Sequence, residues 1–200
     1  LTVPFGFADF AVQPGAGVFP RDVRVALPVA IAETAGGADD MTAILRLRQN
    51  GQHATTLSLF KVDDTTGTID QGGLALHPGD TGYAVAAQGR AYQIAGQATG
   101  GGPFAINGPG YGQFTQAQVL NVDAGDIIAF RLTNNTTGQT YWSFAAANET
   151  VGGDHVAHLW SYGLNTWGFE DLYGGGDRDY NDLVVGLDFT STAGHGYLVA

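Results

Sequence analysis

The residues best suited to chemistry lie between positions 167 and 189. Five acidic side chains fall within thirteen residues of that segment: Glu170, Asp171, Asp177, Asp179 and Asp182. Carboxylates about 4 Å apart repel by roughly 1 to 4 kcal/mol per pair, so such crowding is unfavourable unless a cation relieves it. Oxygen ligands without thiolates select Ca²⁺ among the biological metals. The segment therefore predicts a calcium site.

Glycine and asparagine in the same segment affect how the carboxylates meet. The run Gly174 to Gly176 allows positive φ angles and folds the two acidic groups toward each other. Asp177, Asp179 and Asn181 have the alternate spacing of an EF-hand loop, and Asn181 adds an amide oxygen. However, the sixth position is Asp182, where an EF-hand has glycine, and the twelfth lacks glutamate. We expect a shared site that is not an EF-hand.

The element that follows the acidic segment is predicted to be a strand. Apolar residues alternate from Leu183 to Phe189, which indicates one buried face and roots Asp182 in the core. Other alternating runs between turn clusters predict strands at Val3–Val12, Arg24–Ala32, Met41–Arg48, Thr56–Val62, Ala117–Val122, Asp126–Asn134, Tyr141–Ala146 and His155–Trp160.

Helical patterning is scarce along the chain. One short helix is predicted to begin after an Asp80 N-cap and to run to about Ile94, and residues 96–114 are predicted to form a long Gly-rich loop. The fold class is therefore all-β, an antiparallel β-sandwich, jelly-roll-like, with one or two short helices. We expect residues 1–200 to form a single module.

Charge and composition restrict the possible partners. The chain has 19 Asp plus Glu against 8 Lys plus Arg, a net charge of −11, which repels nucleic acid. Cysteine is absent, so a bound metal is the expected staple. The sequence has no run of 18 apolar residues, so it predicts no membrane span, and no signal peptide is visible. Leu1 in place of Met is expected of a processed or excised fragment.

Three short stretches of the acidic segment carry a family resemblance: 169–172 (FEDL), 174–179 (GGGDRD) and 181–185 (NDLVV). They closely resemble the signature of a calcium-dependent domain of unknown function in exported bacterial RTX-type proteins. The resemblance covers about residues 117–189, including Asp154 and His155, and is weaker over 57–92. Its relatives include the peptide-binding domains of RTX adhesins, β-sandwiches that use Ca²⁺ to grip ligands on other cells.

The resemblance implies a calcium-dependent, adhesin-type module, secreted or displayed at the cell surface, that binds a peptide or glycan on another surface. It adds Asp154 to the candidate metal ligands and His155 to the candidate ligand contacts. Trp167 and Tyr173 flank the acidic loop and are the aromatic residues expected to be exposed for ligand contact.

Other interpretations of the segment remain open. Calcium in a cysteine-free module can act purely as a staple, in a structural protein that assembles with copies of itself. A carbohydrate-active hydrolase would also use paired carboxylates. However, Leu159–Gly163 lacks the leading glycine of a nucleophile elbow, and neither a P-loop nor an HExxH motif occurs. We therefore expect a protein that is not an enzyme. Zinc at His155 and His158 is disfavoured, because strand residues three apart face opposite sides.

Overall fold

The computed structural model describes residues 28–32, 41–96, 101–163 and 165–190. The strand predicted at Val3–Val12 and the first part of the one predicted at Arg24–Ala32 lie outside these ranges. In chain order the elements are β1 (Ala30–Ile31), β2 (Met41–Gln49), β3 (Thr55–Val62), β4 (Ile69–Asp70), β5 (Ala75–Leu76), α1 (Tyr83–Gly89), β6 (Gln93–Ala95), β7 (Ile106–Asn107), β8 (Phe114–Val122), β9 (Ile127–Asn134), β10 (Gln139–Trp142), a 3₁₀ helix (Ala145–Ala147), β11 (Thr150–Val151), β12 (Asp154–His155), β13 (Leu159–Gly163), β14 (Thr166–Phe169) and β15 (Leu183–Thr190).

The strands form two main antiparallel sheets. Sheet one contains β1, β3, β7, β9 and β10, with β9 paired along its length to β3 on one side and to β1 and β10 on the other. Sheet two has the order β13-β14-β15-β2-β8-β6. Two small hairpins, β4-β5 and β11-β12, lie outside these sheets.

The main core lies between the two sheets. Sheet one contributes alternate residues such as Leu57, Leu59 and Phe130, and sheet two contributes Leu45 and Val185. Burial of alternate residues is the mark of strands with one inward face. The predicted all-β antiparallel sandwich is thereby confirmed.

A second cluster covers the other face of sheet one. Phe60, Tyr83 and Trp142 meet there edge to face, with ring centroids 5.6 to 6.3 Å apart. Tyr83 belongs to α1, so the short helix caps this outer face of the sandwich.

Within the described ranges, no helix is long and apolar enough to cross a membrane.

The predicted helix is wrong in its length and its cap. α1 ends at Gly89, and its N-cap is Gly82 in a left-handed conformation. Asp80 instead closes the preceding turn, because its carboxylate accepts the backbone N–H of His77 at 2.7 Å. Residues predicted to continue the helix form β6, because Ile94 and its neighbours pair with β8.

Several strand boundaries also differ from prediction. The predicted loop at 96–114 contains β7, the predicted strand at Tyr141–Ala146 ends at Trp142, and the one at His155–Trp160 is split into β12 and β13. The two parts have different partners, because β12 pairs with β11 and β13 pairs with β14. In contrast, β2, β3, β9 and β15 lie where the alternation predicted them.

Candidate metal centre

The acidic segment is the loop of a hairpin between two strands of sheet two. Phe169, the last residue of β14, pairs with Leu183, the first residue of β15, so residues 170–182 span the turn. Both strands are interior to the sheet, because β13 and β2 flank them. Glu170 and Asp182 therefore begin and end the loop beside a rigid base.

Three carboxylates of this loop meet. One oxygen each of Glu170, Asp177 and Asp179 lies within 4.8 Å of the others. Exposure is graded across the group, because Glu170 is buried, Asp179 is half-buried and Asp177 is exposed. The site is thus rooted in the protein and open to solvent on one side.

Glu170 has the least favourable surroundings of the three. It is fully buried, and Oε1 accepts the backbone N–H of Tyr180 at 2.5 Å. No hydrogen-bond donor among the described residues reaches Oε2. Burial, followed by the charges of Asp182, Asp177 and Asp179, raises the pKa of Glu170 to about 8. The group needs either a proton or a cation.

The backbone of the loop is wound tightly around this carboxylate. Gly176, Arg178 and Tyr180 have φ angles of 48°, 64° and 53°, so every second residue is left-handed. For non-glycine residues this conformation costs about 1 to 2 kcal/mol each. Gly176 has a further role, because a β-carbon there would collide with Glu170 Oε2.

Asn181 holds Asp179 in the group. The Asn181 side-chain amide donates to Asp179 Oδ2, and its backbone N–H donates to Asp179 Oδ1 at 3.1 Å. Burial nevertheless raises the pKa of Asp179 above its ordinary value, with Asp177 adding to the rise. Asn181 therefore orients a metal-facing carboxylate.

Asp171 and Asp182 form an acidic pair at the base of the loop. Asp171 N–H donates to Asp182 Oδ2 at 3.0 Å, and Asp171 Oδ1 lies 3.0 Å from His53 Nδ1. Asp171 Oδ2 is buried and has no hydrogen-bond partner among the described residues. Burial raises the pKa of Asp182 to about 6. Asp182 is also coupled to the triad of Glu170, Asp177 and Asp179, because its charge helps to raise the pKa of Glu170 and the charges of Asp179 and Asp177 help to raise its own.

The pair is packed against the end of β2. Asn50 and Gly51 donate their N–H groups to Asp182 O at 3.1 and 3.0 Å. A β-carbon on Gly51 would lie 2.9 Å from Asp182 Oδ1 and 3.2 Å from Asp171 Oδ2. Asn134 also donates its side-chain amide to Asp171 O at 2.7 Å. Both sheets therefore hold the base of the loop.

Glu149 and His158 contact the backbone of the loop at Gly174 and Glu170. Glu149 Oε1 accepts the N–H of Gly174 at 2.7 Å and lies 2.8 Å from His158 Nε2. His158 Nδ1 faces Glu170 O at 2.8 Å. Burial raises the pKa of Glu149, but the hydrogen bonds from Gly174 and His158 outweigh it and leave the pKa below its ordinary value.

Sequence reasoning missed these supporting residues. Glu149, His158, His53 and Asn134 lie 12 to 118 positions from their partners in the loop. They reach it only through the pairing of distant strands and hairpins, which no local motif encodes.

Four other residues predicted to belong to the site differ in their exposure. Asp154 and His155 are exposed on β12, and within the described residues Asp154 is not part of the three-carboxylate group. Trp167 is 3% exposed and packs on Phe130 with ring centroids 4.9 Å apart. Its predicted exposure is wrong, because β14 is an interior strand that turns Trp167 into the core. Tyr173 is 58% exposed.

The geometry defines an all-β sandwich with a carboxylate-lined hairpin loop, and the comparison with known families agrees on the segment. Residues 122–190, from the end of β8 to the end of β15, match the family described as Domain of unknown function (DUF4114). The match contains the whole loop. Searches of curated proteins and of solved structures give no significant match.

Proposed function

We propose that the loop at 170–182 binds Ca²⁺ through Glu170, Asp177 and Asp179. The observation that carries the proposal is the buried, unpartnered Oε2 of Glu170, within reach of two further carboxylates. A buried anion among like charges is costly unless a cation compensates it. Calcium accepts six to eight oxygens in irregular geometry, which suits carboxylates of unequal exposure.

The donor set favours calcium over other divalent metals. All three side chains offer oxygen, and the nearest buried histidine, His158, has both ring nitrogens facing the oxygens of Glu149 and Glu170. Zinc sites use histidine or cysteine and regular tetrahedral geometry. Mg²⁺ retains several waters and requires near-octahedral ligands.

The proposed task is calcium-dependent ligand binding in an exported, adhesin-type protein. Support comes from the exposed Asp177 side of the site, where a bound Ca²⁺ has coordination positions open to a peptide carboxylate or a glycan hydroxyl. Exposed Leu172 and Tyr173 lie in the same loop and offer apolar contact area. The resemblance to RTX adhesin domains points the same way.

A purely structural calcium ion is the second candidate. The complete burial of Glu170 and the left-handed conformation of Arg178 and Tyr180 favour it, because a cation that organises this loop also stabilises the sandwich. In that case the partners are copies of the same chain. A hydrolase has less support, since the cavities lined by Arg131 and by Lys61 include no carboxylate of the triad.

Thermal unfolding with Ca²⁺ and with EDTA tests the metal proposal. A metal that binds only the folded state adds about 2.7 kcal/mol at a hundredfold excess over Kd, so the midpoint should rise by several degrees. Mg²⁺ at the same concentration serves as the control and should have a smaller effect. Equal midpoints in Ca²⁺ and EDTA would refute the proposal.

Peptide binding separates ligand capture from a structural role. A library of free-acid peptides that end in polar residues, the same peptides with amidated C-termini, and simple sugars should be titrated in Ca²⁺ and in EDTA. We expect free-acid peptides to bind in Ca²⁺ alone. Binding that persists in EDTA, or that is equal for amidated peptides, would leave the calcium ion with a structural role.

A further inference from the structure

The outer face of sheet one contains a cavity remote from the acidic loop. Its volume is about 260 Å³, and its lining includes Ser58, Phe60, Gln88, Pro103, Phe104 and Arg131. No residue of 170–182 lines it. Phe104 is 52% exposed at this cavity, whereas Phe60 is buried. The cavity is therefore mostly apolar, with one cationic side chain in its wall.

Strand pairing places the side chain of Arg131 between those of Ser58 and Trp142. Arg131 on β9 is the register partner of Ser58 on β3 and of Trp142 on β10. Directly paired residues have neighbouring side chains on the same face. The guanidinium carbon lies 5.6 Å from the centre of the Trp142 ring, a cation–π contact that holds the group in place.

Arg131 is half-buried, and its guanidinium is incompletely paired within the described part of the chain. Its Nε is buried and makes no hydrogen bond to any described residue. Nor does a carboxylate from the described ranges lie within 4.0 Å of it, although acidic residues outnumber basic ones 19 to 8. Burial lowers the pKa of Arg131. An anion at this point would relieve the cost of the half-buried charge.

We propose that this cavity binds a carboxylate attached to a small aromatic or apolar group. The two terminal nitrogens of the Arg131 guanidinium form the fork that receives a carboxylate through two parallel hydrogen bonds. Phe60, Pro103 and Phe104 surround the apolar part of the ligand, and Ser58 and Gln88 offer polar contacts.

The surroundings favour a carboxylate over a phosphate dianion. No lysine lines the cavity, and a chain of net charge −11 disfavours a doubly charged ligand. The volume of about 260 Å³ is just below the range for drug-sized ligands, so a single ring with its acid group fits. A free aromatic acid and the C-terminal residue of a peptide share this chemistry.

Nuclear magnetic resonance of the arginine Nε–H groups tests the proposal directly. The metal-free protein in EDTA is titrated with phenylacetate and, as the control, with phenylacetamide. We expect phenylacetate to shift the Arg131 Nε–H signal to saturation, and the amide to bind at least about tenfold more weakly. An unmoved signal, equal effects of acid and amide, or binding that requires Ca²⁺ would overturn the proposal.

Variants and peptides complete the test. Arg131→Lys keeps the charge but loses the fork, and should weaken phenylacetate binding about tenfold. Arg46→Lys, on sheet two, is the matched control and should bind normally. Equal affinity in both variants would also overturn the proposal. If Arg131→Lys does not fold, the comparison of phenylacetate with phenylacetamide still tests the proposal. Peptides ending in a free or an amidated phenylalanine show whether chain ends enter the cavity.

Discussion

Glu170 concentrates the electrostatic cost of the loop in one side chain. It is fully buried, one of its oxygens has no hydrogen-bond partner among the described residues, and three aspartates raise its pKa further. A carboxylate in such a position is stable when protonated or when bound to a cation. At neutral pH these two states compete, so metal binding and proton binding are linked at this residue.

The variant Glu170→Gln tests this linkage. The substitution keeps the shape of the side chain but removes the charge, so Ca²⁺ affinity should fall at least about tenfold. Without metal, thermal stability should be maintained or increased, because a glutamine amide can be buried without taking up a proton. Calorimetry and thermal unfolding measure the two effects. The control Asp188→Asn alters a carboxylate paired with Arg46 at 3.2 Å and should leave affinity unchanged.

The stability of the metal-free protein should also depend on pH. The pKa of Glu170 is raised to about 8, and that of Asp182 to about 6. Between the ordinary carboxyl pKa and these values, the folded metal-free protein binds protons that the unfolded chain has released. Its stability therefore falls as pH rises through that window.

Calcium binds the ionised carboxylates and should cancel this loss. The difference in unfolding midpoint between Ca²⁺-loaded and metal-free protein should widen from about pH 5 to about pH 8. Melting curves in both states across this range provide the measurement. A constant or narrowing difference would contradict the assignment of the buried carboxylate to the metal.

At the scale of elements, β15 and the loop before it differ in how well sequence predicts them. The alternation from Leu183 to Phe189 predicted β15, because one face of the strand is buried in a sheet. The crowding of carboxylates in the sequence predicted that their side chains share one site, and three of them do meet. The packing of Asp171 and Asp182 against Gly51, just after β2, was not predictable, because it depends on contacts between distant parts of the chain.

Glycine 176 provides a test of the loop conformation. Gly176→Ala adds a β-carbon that collides with Glu170 Oε2, so it should reduce both calcium affinity and stability. Gly72→Ala is a matched control, because Gly72 also has positive φ but its β-carbon would meet nothing within 4 Å. Both variants bear about 1 kcal/mol of backbone strain, and only the first should weaken Ca²⁺ binding. Equal affinities would contradict the close approach of Gly176 to the Glu170 carboxylate.

The whole molecule joins distant parts of the chain in one sandwich. β2 pairs with β15 over eight residues, and β3 pairs with β9, so each sheet mixes early and late strands. The fold class followed from alternation and turn spacing. The order of the strands could not be predicted from these patterns, because it depends on long-range pairing. The predicted N-cap of α1 failed for a local reason, the turn closed by Asp80, whereas its predicted end failed because the following residues pair with β8.

Such interleaving predicts cooperative unfolding. Because the described strands share one core between the sheets, neither half retains a complete core when the other unfolds. Calorimetry of the metal-loaded protein should show one transition, with coincident loss of β structure and of tryptophan burial. Two separate transitions would contradict a single module.

Direct titration of the metal-free protein with Ca²⁺ tests the central claim, that Glu170, Asp177 and Asp179 hold a calcium ion. Isothermal calorimetry should show saturable binding to the wild type and to Asp188→Asn, with affinity reduced at least about tenfold in Glu170→Gln. Absence of binding, or the same affinity in Glu170→Gln as in the wild type, would contradict it.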